Sequence, residues 1–229
     1  LIEPFAGYAF NKAHSVCYAV VAYWTAYFKA NHPVEYMTCV LNAYDGNAEK
    51  TGSAIAECRR LGIPVLAPSV NRSDVWFAVD LDDTGKRSIR FGLATVKNIG
   101  EGAVTDLVAE RKETGPFATL EDFARRAGSA AANKRVIESL AKVGALDAFG
   151  NRASLLASVD SITRLLQSEA ELKDSGQSTM FDLFGESVPT PLAEIELISV
   201  QEPGPREIAM WERELLGVSL TGRVLDPRH

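Results

Sequence analysis

The stretch "VKNIGEG", residues 96–102, sets two glycines around a single glutamate between two apolar runs. Glycine tolerates positive φ and lets another molecule come close to the main chain, and two of them spaced by one residue mark a tight hairpin. "FGLAT" precedes the stretch, and "AVTDLVAER" follows it with Val104, Leu107 and Val108 at helical spacing. That order predicts an apolar segment, a glycine hairpin and a helix N-terminus. The free N–H groups and positive dipole end of such a helix start favour an anion. A plain connecting turn would look the same over these seven residues, so the rest of the chain has to decide.

The 229 residues are 46% hydrophobic and 24% charged, which suits one or two globular domains with a real core. No run approaches the roughly 18 apolar residues of a membrane span, and "LIEPFAGYAF" lacks the basic and apolar regions of a signal peptide. These features predict a cytoplasmic protein with no membrane partner. Cys17, Cys39 and Cys58 share no close spacing, so each reads as a small core residue rather than part of a disulfide framework or zinc site. His14, His32 and His229 are too scattered for a metal site built from sequence-near ligands.

The net charge of −6 is unevenly spread. Residues 1–84 hold 6 basic and 9 acidic side chains, residues 85–152 hold 12 and 8, and residues 153–229 hold 6 and 13. The positive block contains the glycine hairpin, as local phosphate binding would require, although a solvated mixed-charge surface gives the same count.

Helical spacing runs from Lys12 to Asn31 through Val16, Val20, Tyr23, Trp24, Tyr27 and Phe28, with Asn11 placed to cap the start. The aromatic stripe Tyr23, Trp24, Tyr27 and Phe28 reads as core, with stacking on bases as the alternative. Pro33 opens a second helix through Met37 and Leu41, and residues 48–61 form a third that Gly62 ends. Alternation around "DDTG" in residues 75–93 predicts a β-hairpin. Thr119 and Asp122 form a capping-box pattern, Asn133 caps "KRVIESLAKV", Gly144 ends it, and "GALDAFG" leads into "NRASLL". From about Ser168 the pattern weakens into a polar linker, and helical spacing returns over residues 206–217. The expected fold is mainly α with a small β-hairpin: a helical segment followed by a tandem helix-hairpin-helix module.

"FAGYAFNKAHSVCYAVVAYWTAYFKANHPVEYM" resembles the fingers segment of the bacterial DNA polymerase III alpha subunit family, the C-family replicative polymerases. The likeness continues through "FGLATVKNIGEGAV", "GPFATLEDFARRAG", "NKRVIESLAKVGALDAFGNRASLL" and "ERELLGVSLTG". Ala9 and Ala13 stand where that family has Gly and Ser, and Arg223 where it tends to have His. The resemblance implies a fragment with four parts. Residues 1–74 are the fingers segment, 75–152 a helix-hairpin-helix duplex-DNA-binding module, 153–205 a helix and linker with a clamp-binding motif, and 206–229 a helix leading toward an OB domain. The parent protein it implies is a DNA-directed DNA polymerase, a nucleotidyltransferase. The family's catalytic carboxylates lie upstream, so the fragment alone is expected to be inactive. No cofactor is expected in it, and Mg2+ is expected in the palm that it lacks. The implied partners are primer-template duplex DNA, the sliding clamp and other replicase subunits. An error-prone paralogue and a free-standing DNA-binding module are the alternatives.

With the resemblance, the hairpin residues Gly100, Glu101 and Gly102 become candidates for backbone contact with phosphate, and Lys97, Arg111, Lys112, Lys134 and Arg135 candidate ionic helpers. Glu101 is discordant, since a carboxylate beside phosphate is repulsive unless it points away. Asn11, Lys12, His14 and Ser15 are candidates for facing a nucleotide, or form an ordinary capped helix start. In "GQSTMFDLFGE", Gln177 leads Met180, Phe181 and Phe184 in a segment that offers them no core. The arrangement is similar to the short motif by which replicative polymerases dock on the sliding clamp. The alternative is that this cluster folds back near Trp211 as a satellite core.

Overall fold

The computed structural model describes residues 12–128, 133–174 and 195–220. Over these residues the chain is mainly helical with one small sheet, as the sequence patterns predict. Helix α1 (Lys12–Asn31) leads into α2 (Pro33–Ala43) and α3 (Ala48–Arg60). Pro33 sits in the first turn of α2, where its missing N–H costs nothing. Asn47 caps α3, its side chain accepting from the Lys50 N–H at 3.0 Å. The facing stripes Val34, Met37 and Leu41 of α2 and Ala54, Ile55 and Cys58 of α3 are buried against one another and the sheet.

The sheet has the order β1-β3-β2, with β1 at Val65–Leu66, β2 at Ala78–Leu81 and β3 at Arg87–Arg90. β2 and β3 form the expected antiparallel hairpin, with Val79 opposite Ile89 and Asp80 opposite Ser88. The parallel pairing of Val65 with Ile89 is an addition, because two residues are too few to show a period. It makes β3 the central strand, so Ser88, Ile89 and Arg90 are all buried and its alternation is lost.

Past the sheet a single 3-10 turn (Leu93–Thr95) runs into α4 (Glu101–Thr114), then α5 (Leu120–Arg126), α6 (Lys134–Lys142), α7 (Arg152–Ala157), α8 (Val159–Asp174) and α9 (Pro205–Leu216). The expected caps are present: Thr119 Oγ1 accepts from the Asp122 N–H, Asp122 accepts in return from the Ala118 N–H, and Asn133 accepts from the Arg135 N–H. α8 packs on α5 and α6, and it extends past Ser168 as far as Asp174. The buried side chains form one cluster from Val34 to Leu216, with Phe117, Phe123, Leu140, Leu146, Leu155 and Ile162 in its second half. Arg126 ties the α4–α5 turn together, pairing with Glu110 and Asp122 while its guanidinium lies 4.5 Å from the Phe117 ring centre.

Two expectations are corrected. The aromatic stripe of α1 is not core: Tyr23, Trp24, Tyr27 and Phe28 are each about half exposed or more. Helical spacing identified the face, but α2 is the helix that packs against α1, and within the stripe Tyr23 stacks on Tyr27, which meets Phe28 edge-on. Cys17 and Cys39 are likewise exposed, while Cys58 is fully buried, and burial pushes its thiol up to about 11.

Asp80 is the polar hub of the sheet. Its carboxylate accepts from Arg90 and Arg72, and Arg90, itself 8% exposed, also donates to the Ala67 carbonyl at 2.8 Å. Burial raises the Asp80 pKa, but the Arg90, Leu81 N–H and Arg72 hydrogen bonds more than offset it, leaving the carboxyl below its ordinary value. The folded pKa is depressed, so this stabilisation is complete above about pH 4 and is lost as pH falls through the folded value. Replacing Asp80 by Asn is expected to lower unfolding free energy by about 1–3 kcal/mol at pH 7. In urea unfolding at stepped pH, the gap to the parent protein should close in acid; a gap of the same size at every pH would contradict this assignment.

Candidate nucleic-acid interface

The first hairpin is built by two buried anchors and an exposed backbone. Val96 and Ile99 point into the core at 1% and 9% exposure, which turns Lys97, Asn98, Gly100, Glu101 and Gly102 outward. The Lys97 N–H donates to the Leu215 carbonyl of α9 at 3.0 Å, and the Ile99 N–H donates to Val96. The left-handed residue is Asn98, with φ 73°, and neither glycine has positive φ. Asparagine tolerates that region better than most residues, so the chain reverses there and the glycines are left to another purpose.

Gly100 is the N-cap of α4 in extended backbone, and no side chain caps the helix. The first-turn N–H groups lack intrahelical acceptors by geometry, and the helix dipole adds positive potential. A Cβ built on Gly100 or Gly102 would meet nothing within 4 Å, so the backbone is open to approach from outside. Glu101 is exposed in the same turn, where a carboxylate is favourable to the dipole and unfavourable to an incoming phosphate.

The candidate cations divide into two groups. Lys97 is exposed on the hairpin, and Arg135 is exposed on the first turn of α6. Asn98 Nδ2 donates to Ser139 Oγ at 3.3 Å, which lays the hairpin on α6 one turn beyond Arg135. Lys142, three residues after Ser139, shares that stripe; the i, i+4, i+7 spacing from Arg135 was its signal in the sequence. Among the described residues Lys97, Arg135 and Lys142 make no ion pair.

The structure withdraws Arg111 and Lys112 from the hairpin. They lie ten and eleven residues beyond Glu101, about 15 Å along α4. Arg111 is 8% exposed and donates to the Val70 carbonyl at 2.8 Å; burial lowers its pKa, although nearby Asp74 acts the other way. Lys112 pairs with Asp74 at 2.8 Å. Helical spacing placed both residues correctly, but which of them the fold would turn inward depends on Val70, far away in sequence. Lys134 pairs with Asp160 of α8 at 2.6 Å, and this hydrogen bond raises the lysine pKa and lowers that of the aspartate. The pair is exposed and therefore exchangeable.

His14 and Ser15 are exposed on the first turn of α1, with the His14 ring 4.4 Å from that of Tyr18. Their helix packs on α2, so the proposed nucleotide contacts and the hairpin belong to separate elements. Asn11, the Lys12 side chain and the cluster of Gln177, Met180, Phe181 and Phe184 lie outside the described residues.

The second hairpin, between α6 and α7, hides a feature that spacing did not reveal. Gly144 has φ 80°, and a Cβ there would lie 2.2 Å from Arg152 Nη2. Arg152 is buried, pairs with Asp147 at 3.1 Å and lies 3.6 Å from Glu212 of α9. Glu212 is fully buried, and its other oxygen accepts from the Leu220 N–H at 2.7 Å.

The two hairpins should therefore respond differently to the same substitution. Gly102→Val is expected to change unfolding free energy by no more than about 0.5 kcal/mol, as at an open surface site, and Gly100→Val, at the N-cap, to cost no more than about 1 kcal/mol. Gly144→Val combines a left-handed φ with a clash and should cost about 2–4 kcal/mol. Urea unfolding of the three variants checks this, and equal effects would contradict the contrast.

Comparison with known proteins shows what the chain resembles. The model of the helix-hairpin-helix motif family matches residues 62–155, which include both hairpins. DNA polymerase III subunit alpha of Thermus aquaticus is 42% identical over 224 residues, covering 97% of this chain and 17% of the relative. The subunit alpha of Saccharopolyspora erythraea is 41% identical over 98% of this chain and 19% of its own length. That of Vibrio cholerae is 38% identical over 99% and 19%. The chain thus spans less than a fifth of the length of these relatives.

Proposed function

We propose, from the premise that this chain matches a fragment of the DNA polymerase III alpha subunit, that it holds duplex DNA by its phosphates on behalf of a DNA-directed polymerase. The observation that carries the proposal is the uncapped start of α4, where Gly100 and Gly102 leave the main chain open inside the segment that matches the helix-hairpin-helix family. Amide N–H groups at a helix start bind phosphate oxygens without regard to base identity. A replicative enzyme needs that indifference, because it must hold every sequence that it copies. Lys97 and Arg135 add charge that follows the phosphates and is screened by salt.

Nucleotide transfer by the parent enzyme is assigned to carboxylates and Mg2+ outside this chain. The exposed first turn of α1, with His14 and Ser15, is proposed to face the nucleotide side of the fingers. Docking on the sliding clamp is proposed for Gln177, Met180, Phe181 and Phe184, on the strength of their order in the sequence. Gln supplies directional amide hydrogen bonds, while Met and Phe fill an apolar groove. A weak peptide contact tethered beside a DNA grip gains from effective concentration.

Two titrations test the proposal. In fluorescence anisotropy the chain should bind unrelated duplexes with equal affinity, and binding should fall steeply from 50 to 200 mM salt. Gly100→Val or Gly102→Val should weaken it by a factor of about ten or less, given roughly 1 kcal/mol per hydrogen bond. Wild-type affinity in both variants would remove the hairpin as the phosphate site. A peptide of residues 174–187 should bind the cognate clamp in calorimetry and lose binding when Gln177 and Phe181 become Ala; no heat with peptide or whole chain would remove the clamp assignment.

A further inference from the structure

Helix α9 and the chain just beyond it meet α3 and both hairpins. The Leu215 carbonyl accepts the Lys97 N–H of the first hairpin at 3.0 Å. Three residues earlier, and so on the same face of the helix, Glu212 is fully buried with one carboxylate oxygen 3.6 Å from Arg152 Nη1 at the second hairpin. Past the helix the chain reverses at Gly217 in left-handed backbone, and Arg59 of α3 donates to the Ser219 carbonyl at 2.8 Å.

The other oxygen of Glu212 gathers that reversal. It accepts from Ser219 Oγ at 3.3 Å and from the Leu220 N–H at 2.7 Å. Ile208, Leu215 and Leu216 bury the apolar face of α9, but apolar contact is non-directional and tolerates a small rotation or slide. A buried carboxylate does not, because a slight displacement parts its charge from Arg152, Ser219 and Leu220 together. Glu212 therefore fixes the setting of α9, and with it the direction of the Leu215 carbonyl. That carbonyl matters to the hairpin, since Lys97 and Asn98 are both exposed and the Asn98 bond to Ser139 is long at 3.3 Å.

We propose that Glu212 is a positioning residue for phosphate binding. By fixing the setting of α9 it fixes, through the Leu215 carbonyl, the hairpin whose amides at residues 100–102 meet the phosphate. This rests on the DNA-binding reading above and goes beyond it in naming a residue of α9, outside the segment that matches the helix-hairpin-helix family.

The test is made on the whole chain with Glu212→Gln, which keeps the shape but removes the charge. Its NH2 end must face either Arg152 or the Leu220 N–H, donor against donor. Asp80→Asn is the control: it too removes one negative charge from a paired carboxylate, but in the sheet. Either loss of charge favours a polyanion, so weaker binding cannot come from charge. With both variants folded by circular dichroism, Glu212→Gln should bind duplex DNA about fivefold more weakly in fluorescence anisotropy, the cost of ordering a loosened hairpin on binding. Asp80→Asn should bind at least as tightly as the unmodified chain. On 15N,13C-labelled protein, the scalar coupling across the hydrogen bond from the Lys97 N–H to the Leu215 carbonyl should persist in Asp80→Asn and vanish in Glu212→Gln. Ser219→Ala, which takes one donor from the carboxylate, should weaken both readouts by about twofold and decides the matter if Glu212→Gln does not fold. Unchanged affinity or a retained coupling in Glu212→Gln, or an equal loss of binding in Asp80→Asn, would overturn the inference. Failure of the unmodified chain to bind any duplex would instead overturn the DNA-binding reading, with the coupling still deciding whether Glu212 holds the hairpin to α9.

Discussion

The burial of Val96 and Ile99 is the constraint from which the candidate interface follows. A glycine-bearing turn without a side-chain cap has little to hold it, and its backbone would ordinarily fluctuate too freely to present N–H groups in fixed directions. Two apolar anchors, one on each side of the Lys97–Asn98 reversal, fasten it to the core. The Lys97 N–H to Leu215 and the Asn98 side chain to Ser139 then fasten it to α9 and α6. The ordering cost is met by the fold before any ligand arrives, leaving the free amides available to an anion.

The second hairpin reverses at a left-handed glycine where the first reverses at Asn98. Gly144 ends α6 in a left-handed conformation, and Arg152 lies across it, held by Asp147 and the Lys142 carbonyl. Glu212 brings a buried carboxylate from α9 to the same guanidinium, while its other oxygen accepts from Leu220. Burying such charges costs several kcal/mol per ion unless they are paired and hydrogen-bonded, which makes the arrangement specific to one docking of α9. α9 in turn touches both units, through Glu212 to the second hairpin and Leu215 to the first. The two hairpins are therefore joined as much by α9 as by the chain between them.

Local signals were legible where they were complete within a few residues. Thr119 and Asn133 cap their helices, Gly62 and Gly144 end theirs in left-handed backbone, and "DDTG" turns the β-hairpin, because each requirement is met by neighbours in sequence. What failed needed distant partners. The α1 stripe has the spacing of a core face, yet spacing cannot say whether a neighbour covers it, and Trp24 is 56% exposed. Arg111 has the spacing of a helix-surface cation, yet the Val70 carbonyl draws it inward. "NIGEG" announced a turn and a helix start correctly, but the positive φ fell to Asn98 rather than to either glycine. Lys142 was legible from its spacing to Arg135 only once Ser139 was known to meet the hairpin.

The central claim is that the main-chain N–H groups of residues 100–102 hold a phosphate. Amide-resolved NMR on the 15N-labelled chain tests it most directly, by following these three resonances during titration with a short duplex at low salt and then at high salt. The account predicts large downfield shifts of the Gly100, Glu101 and Gly102 amides that reverse with salt, while the Gly144 and Gly150 amides stay in place. Saturable duplex binding that leaves the first three unmoved would contradict it.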